Sequence, residues 1–226
     1  MLQTRLEVRA PQTIEQGSIT FLYRPHSDKV RTDDLHDLQR LLILMAPDES
    51  AYERLIAVGR KHVPRCARRE RFWGFVDMVL TSNDMTAALS GQVLRTRARR
   101  LRHLPAAHVF AEGTYAIAIH GNHSHLRWHV EHMARDPIAF QVQVERDADH
   151  LLSIANPDPS AWGLDEAPDL QSEIFDDLEL HVVIPAPLPS VLQKRFCNKP
   201  FTQLDSTDWL DHPGTEIVFA ATCLSA

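Results

Sequence analysis

The chain has 226 residues, 44% of them hydrophobic, enough to bury a substantial core as one large domain or as two lobes of roughly 100 residues. Three cysteines without CxxC spacing (Cys66, Cys197, Cys223) exclude a fully paired disulfide framework and point to a reducing, cytoplasmic compartment. The net charge of −6 speaks against a generally nucleic-acid-coating surface. The longest strongly apolar run, LLILMA at 41–46, falls far short of the roughly 20 residues that cross a bilayer, and no apolar export segment opens the chain.

Ser18 to Arg24 reads as a strand ended by Pro25, and Asp33 to Leu38 as a short helix with an acidic first turn. Gln39 to Ala46 is a buried strand stopped by Pro47, and Glu53 to Arg60 a second. In RERFWGFVDMVLTS the aromatic and β-branched content predicts a strand with Phe72, Trp73, Phe75 and Val76 in the core. Asn83 to Gly91 is a connection or short helix. Farther on, Phe140 to Val144, Leu151 to Ala155, Leu178 to Ile184 and Glu216 to Thr222 are strand-like, and Ser190 to Phe196 is a short helix. Two segments, LLILMAPDES at 41–50 and LLSIANPDPS at 151–160, share half of their positions, as a diverged duplication into two similar lobes would.

Between Tyr115 and His132 the chain concentrates potentially reactive groups: YAIAIHGNHSHLRWHVEH holds His120, His123, His125, His129 and His132. As a hairpin turning at Gly121-Asn122, with glycine at the positive-φ position of a type II′ turn, it pairs His120 with His123, Ala118 with His125, Ala116 with Arg127 and Tyr115 with Trp128. Tyr115, Ile117, Ile119, Leu126, Trp128 and Val130 then face a core. Ser124, on that same side, points away from its histidine neighbours and should be inert. The opposite face carries the metal-site candidates His123, His125 and His129 beside His120, with Glu131 as an oxygen ligand for a divalent transition metal such as zinc, nickel or iron. Arg127 on that face opposes a cation. A helical reading would align His125, His129 and His132 instead, but the alternation favours strand. No HExxH, cupin or HxHxDH pattern completes a catalytic signature.

Charge is polarised. From Arg60 to Arg102 eleven basic residues stand against three acids, whereas 161–180 holds seven acids and no Lys or Arg. The run VLRTRARRLRH makes Arg95, Arg97, Arg99, Arg100 and Arg102 candidates for anion or nucleic-acid binding, although no helix-turn-helix, zinc-finger, KH or RNP pattern accompanies it. Pairing of this run with the acidic segment, within the chain or between copies, is the competing expectation. GxSxG, GxxxxGK[ST] and GxGxxG are absent, and Cys66 near His62 lacks an orienting acid.

FLYRP at 21–25, LQRLLILMAP at 38–47, RLIAVGRKHVP at 54–64, RERFWGFVD at 69–77, EGTYAIAIHGNHSHL at 112–126, LLSIANP at 151–157 and LQKRFCNKPFTQLDSTDWLDHPGTEIVF at 192–219 together resemble a family of conserved prokaryotic proteins with no assigned activity. The resemblance covers most of the chain and implies a stand-alone soluble protein, but it transfers no cofactor or catalytic residue. The sequence thus leads to an α+β fold dominated by antiparallel sheet. It divides into a β-rich lobe over 1–91, a basic connector over 92–107 and a second β-rich lobe with the histidine hairpin over 108–226. The leading functional expectation is a binding or interaction protein without intrinsic catalysis, self-associating or held to a protein partner. The metal-site and anion-binder readings stand as alternatives.

Overall fold

The computed structural model describes residues 10–26, 29, 31–59, 63, 70–95, 101–162 and 188–222. Four strands lead: β1 (Gln12–Pro25), β2 (Leu38–Pro47), β3 (Tyr52–Val58) and β4 (Arg71–Thr81). Helix α1 (Ser82–Leu89) and a small hairpin of β5 (Gln92–Arg95) and β6 (Leu101–Leu104) follow. Then come β7 (His108–His120), β8 (His123–Met133), helix α2 (Pro137–Val142) and β9 (Asp147–Ala155). Helix α3 (Ser190–Arg195), β10 (Phe201–Gln203) and β11 (Glu216–Thr222) follow.

Eight strands close on themselves in the order β1, β2, β3, β4, β11, β9, β8, β7, and β7 pairs with β1. Every ladder in this ring is antiparallel. Strand β10 continues the edge of β9 just past the point where β8 leaves it. The architecture is a closed β-barrel, and it overturns the expectation of an α+β fold with two similar lobes. Pairing of β1 with β7 and of β4 with β11 joins both halves of the chain into one wall. Alternation along a strand reports that one face is buried but not which strands meet, so closure could not be read locally. The like segments at 41–50 and 151–160 contribute β2 and β9, on opposite sides of the ring. Their neighbours are laid down in opposite chain order around the barrel, so the likeness is one of strand plus proline turn.

An eight-stranded barrel is just wide enough for its own side chains to fill it. Here Phe21, Leu41, Ile56, Ile117, Leu126, Ile154 and Phe219, all at most 3% exposed, form one continuous interior core. Trp128 packs edge-on to Phe21 and stacks on buried His150, their ring centroids 4.4 Å apart. Both ends are closed by the same apolar cluster. At one end sit Trp209 and Leu210 from a 3-10 turn over Thr207–Asp211, with Phe196 and Leu204; α2 contributes Ile138, Ala139 and Val142 to the same core. Ser124 Oγ donates to the Leu204 carbonyl at 2.6 Å and ties β8 to the first closure. Tyr23 Oη donates to Asp136 Oδ2 at 3.1 Å beside the second.

Phe140 and Val142 belong to a helix where the sequence predicts a strand. Asp136 accepts from the Ile138 amide as N-cap and Pro137 occupies the first turn, the standard signature of a helix start. Gln143, at φ 58°, ends it in the left-handed conformation. Asn83 to Gly91 does hold a short helix, α1, capped by Thr81. A second apolar cluster lies outside the barrel wall and joins Leu22, Leu42, Leu55, Phe75 and Met85 of α1. Near it Arg24 donates to the Pro105 and Ala88 carbonyls, and burial together with Arg40 lowers Arg24 to about 10. Phe72 and Val76 enter the interior as predicted, whereas Trp73 packs on the outer wall against Trp162 and Phe201. The predicted strand over Leu178 to Ile184 lies outside the described residues. No helix among the described residues is long and apolar enough to cross a membrane.

Candidate functional site

The histidine hairpin forms as its sequence dictates. Gly121 takes φ +62° at the turn, and β7 pairs with β8 in the predicted register, His120 with His123 through to Tyr115 with Trp128. Tyr115, Ile117, Leu126, Trp128 and Val130 are buried in the interior. That fixes His120, His123, His125, Arg127 and His129 on the outer face, with half-buried Ala116 and buried Ala118 between them as a low floor. Close approach of the two strands needs Gly113, since a Cβ there would lie 1.9 Å from the His129 carbonyl oxygen. The bulge at Glu112/Gly113 leaves Glu131 without a cross-strand partner in the β7 ladder, so it is set off from the histidine row as well as exposed.

What the sequence does not reveal is the neighbour on the other side. Strand β9 runs beside β8 and pairs Arg127 with Asp149 and His129 with Asp147. His125 Nδ1 donates to Asp149 Oδ1 at 2.7 Å, and Arg127 Nε donates to Asp149 Oδ2 at 2.8 Å, so one buried carboxylate, 6% exposed, takes both. His129 Nδ1 donates to Asp147 Oδ1 at 2.6 Å on the open surface. The signal that could have found these partners is the alternation of Asp147 and Asp149 with Ala148 and His150 in DADH, which puts both carboxylates on one strand face.

These pairs bear on the predicted metal set. His125 and His129 are four residues apart on one strand, roughly 13 Å, and each imidazole is committed to a different aspartate. A single ion therefore cannot take both in this arrangement. His123 stands at the turn, exposed and opposite His120. Among the described residues no group of three His, Cys, Asp or Glu side chains is placed to hold a metal. For the predicted anion site, Arg95 and Arg102 lie in β5 and β6, while Arg97, Arg99 and Arg100 lie outside the described residues.

Beside the hairpin face an open concavity of about 520 Å³ is bordered by Gln16, Ser18, Asp48, Thr114, Arg127 and His129, with Ala116 and Gly17 at its base. Gln16 Nε2 donates to Asp48 Oδ2 at 3.3 Å, and the Asp48 amide donates to the Gln16 carbonyl, which fixes that rim. Arg127 forms the opposite rim, held through Nε yet with its side chain 48% exposed. The sequence signals neither Gln16, Asp48 nor Thr114, because they meet only through the pairing of β1 with β2 and with β7.

Comparison of the chain with protein-family models, with curated proteins and with solved structures gave no match.

Proposed function

We propose that the chain is a binding protein without intrinsic catalysis, which recognises a protein partner through the outer wall formed by β1, β7 and β8. One observation carries this: the barrel fills its interior with its own side chains, while His125, Arg127 and His129 stand ordered by their aspartate partners on the outside, beside an open concavity with an alanine floor. Such a surface suits the flat contact of a protein partner better than the enclosure of a small substrate, which binds in deep, mostly apolar pockets. Arginine is enriched at recognition surfaces, where a preorganised guanidinium loses little freedom on binding. Arg127 is positioned in that way by Asp149. Asp48 on the far rim gives the concavity opposite charges at its two sides, which sets the orientation of a partner.

The test is co-purification from the native cell with wild-type protein and with Ala116→Arg, which fills the floor of the concavity with a long cationic side chain. A partner retained by wild type and lost from the variant supports the proposal, provided thermal unfolding shifts by no more than about 0.5 kcal/mol as surface changes do. A partner held equally by both, or no stoichiometric partner for the wild type, contradicts it.

A further inference from the structure

At the tip of the β7–β8 hairpin two imidazoles stand directly opposite each other across a strand pair, with the two-residue turn between them. Opposed residues in an antiparallel pair project to the same face with Cβ atoms about 5 Å apart. Two imidazoles rooted at that separation can converge on one ion at the roughly 2.0–2.1 Å metal–nitrogen distance of zinc-class sites. The turn is held by Gly121 at φ +62°, so the spacing of the two Cβ atoms is set by the backbone and not by side-chain chance. His123 is exposed and His120 partly so, which leaves an ion free access from solvent.

The neighbouring groups leave the tip open to a cation. His125 follows His123 on the same face, but its Nδ1 is held by Asp149, so it stands aside from the pair at the tip. Arg127, the fixed cation that opposed an ion in the sequence, is turned onto Asp149 and roots four residues along β8 from His123, roughly 13 Å away. The imidazole pair selects borderline transition metals such as zinc, nickel or copper, because magnesium and calcium require oxygen ligands. Since no third ligand converges among the described residues, the coordination is open, completed by water or by a group brought from solution.

We infer that the hairpin tip binds one zinc-class divalent ion through His120 and His123, separately from the concavity proposed to hold a partner. Isothermal titration of chelator-stripped, tag-free protein with zinc and with nickel tests it, alongside His120→Ala, His123→Ala and His129→Ala. The expected result is saturable uptake of about one ion per chain, lost in each of the first two variants and kept in His129→Ala, with magnesium giving no signal. Circular dichroism on each variant separates loss of a ligand from loss of fold; should one alanine variant fail to fold, the glutamine substitution at the same position takes its place. Absence of saturable uptake in the wild type, or uptake that survives either the His120 or the His123 substitution, overturns the inference.

Discussion

Arg54→Ala is expected to destabilise the barrel by about 3–5 kcal/mol, the cost of stranding a buried charge. Arg54 projects from β3 with only 3% of its side chain exposed. Its Nη1 donates to Glu15 Oε1 and Oε2 at 2.6 and 2.7 Å, and its Nε donates to Asp211 Oδ1 at 2.8 Å. Burial opposes the charge on Arg54, but hydrogen bonds and charge from Glu15, with Asp211 behind them, hold its pKa above the ordinary value. Tyr115 Oη donates to Glu15 Oε1 at 2.7 Å, and burial, with Glu15 next to it, pushes the phenol up and keeps it a donor. Glu15 is 9% exposed, so removing the guanidinium leaves its carboxylate without its counter-ion inside the wall. Asp211, 47% exposed, can return to water, and Asp211→Asn should cost under about 1 kcal/mol. Chemical denaturation of the two variants checks the contrast; equal effects would mean that the network works through Asp211 rather than through Glu15.

Trp209→Ala should cost about 3–5 kcal/mol, the range for emptying a large aromatic site in a core. Trp209 is fully buried in the 3-10 turn that closes one end of the barrel. It lies edge-on to Phe196, with ring centroids 5.2 Å apart, and its Nε1 donates to Asp205 Oδ1 at 2.9 Å. Trp209→Phe keeps much of the apolar contact and loses that hydrogen bond, for an expected cost of about 1–2 kcal/mol. The order wild type, Phe, Ala in urea midpoint tests whether this segment is part of the core. A negligible effect of alanine would instead make it a detachable cover.

The parts of this structure that were legible in the sequence are those decided by neighbours along the chain. Gly121-Asn122 between alternating runs defined the hairpin, and a period of two then assigned Leu126, Trp128 and Val130 to the interior and the histidines to the surface. Ser124, flanked by histidines, turned inward as the same alternation required. Asp136-Pro137 carried a helix start that outweighs the strand preference of Phe140 and Val142, but the apolar run concealed it. The partners of His125 and His129 were hidden for a different reason. Asp147 and Asp149 reach them only because β9 closes the ring against β8, and neither strand's pattern encodes that meeting. Closure also converted an expected pair of lobes into one barrel, with the hairpin's histidines on its outer wall.

Residue-resolved amide hydrogen exchange across the β8–β9 seam reports on that closure. Ser124 to His129 pair with Leu152 to Asp147 on one side and with β7 on the other, so the amides of β8 facing β9 should exchange as slowly as those facing β7. An alternating pattern, with every second β8 amide exchanging at the rate of an exposed sheet edge, would mean an open sheet and would contradict the barrel, the filled interior and the outer-wall reading built on them.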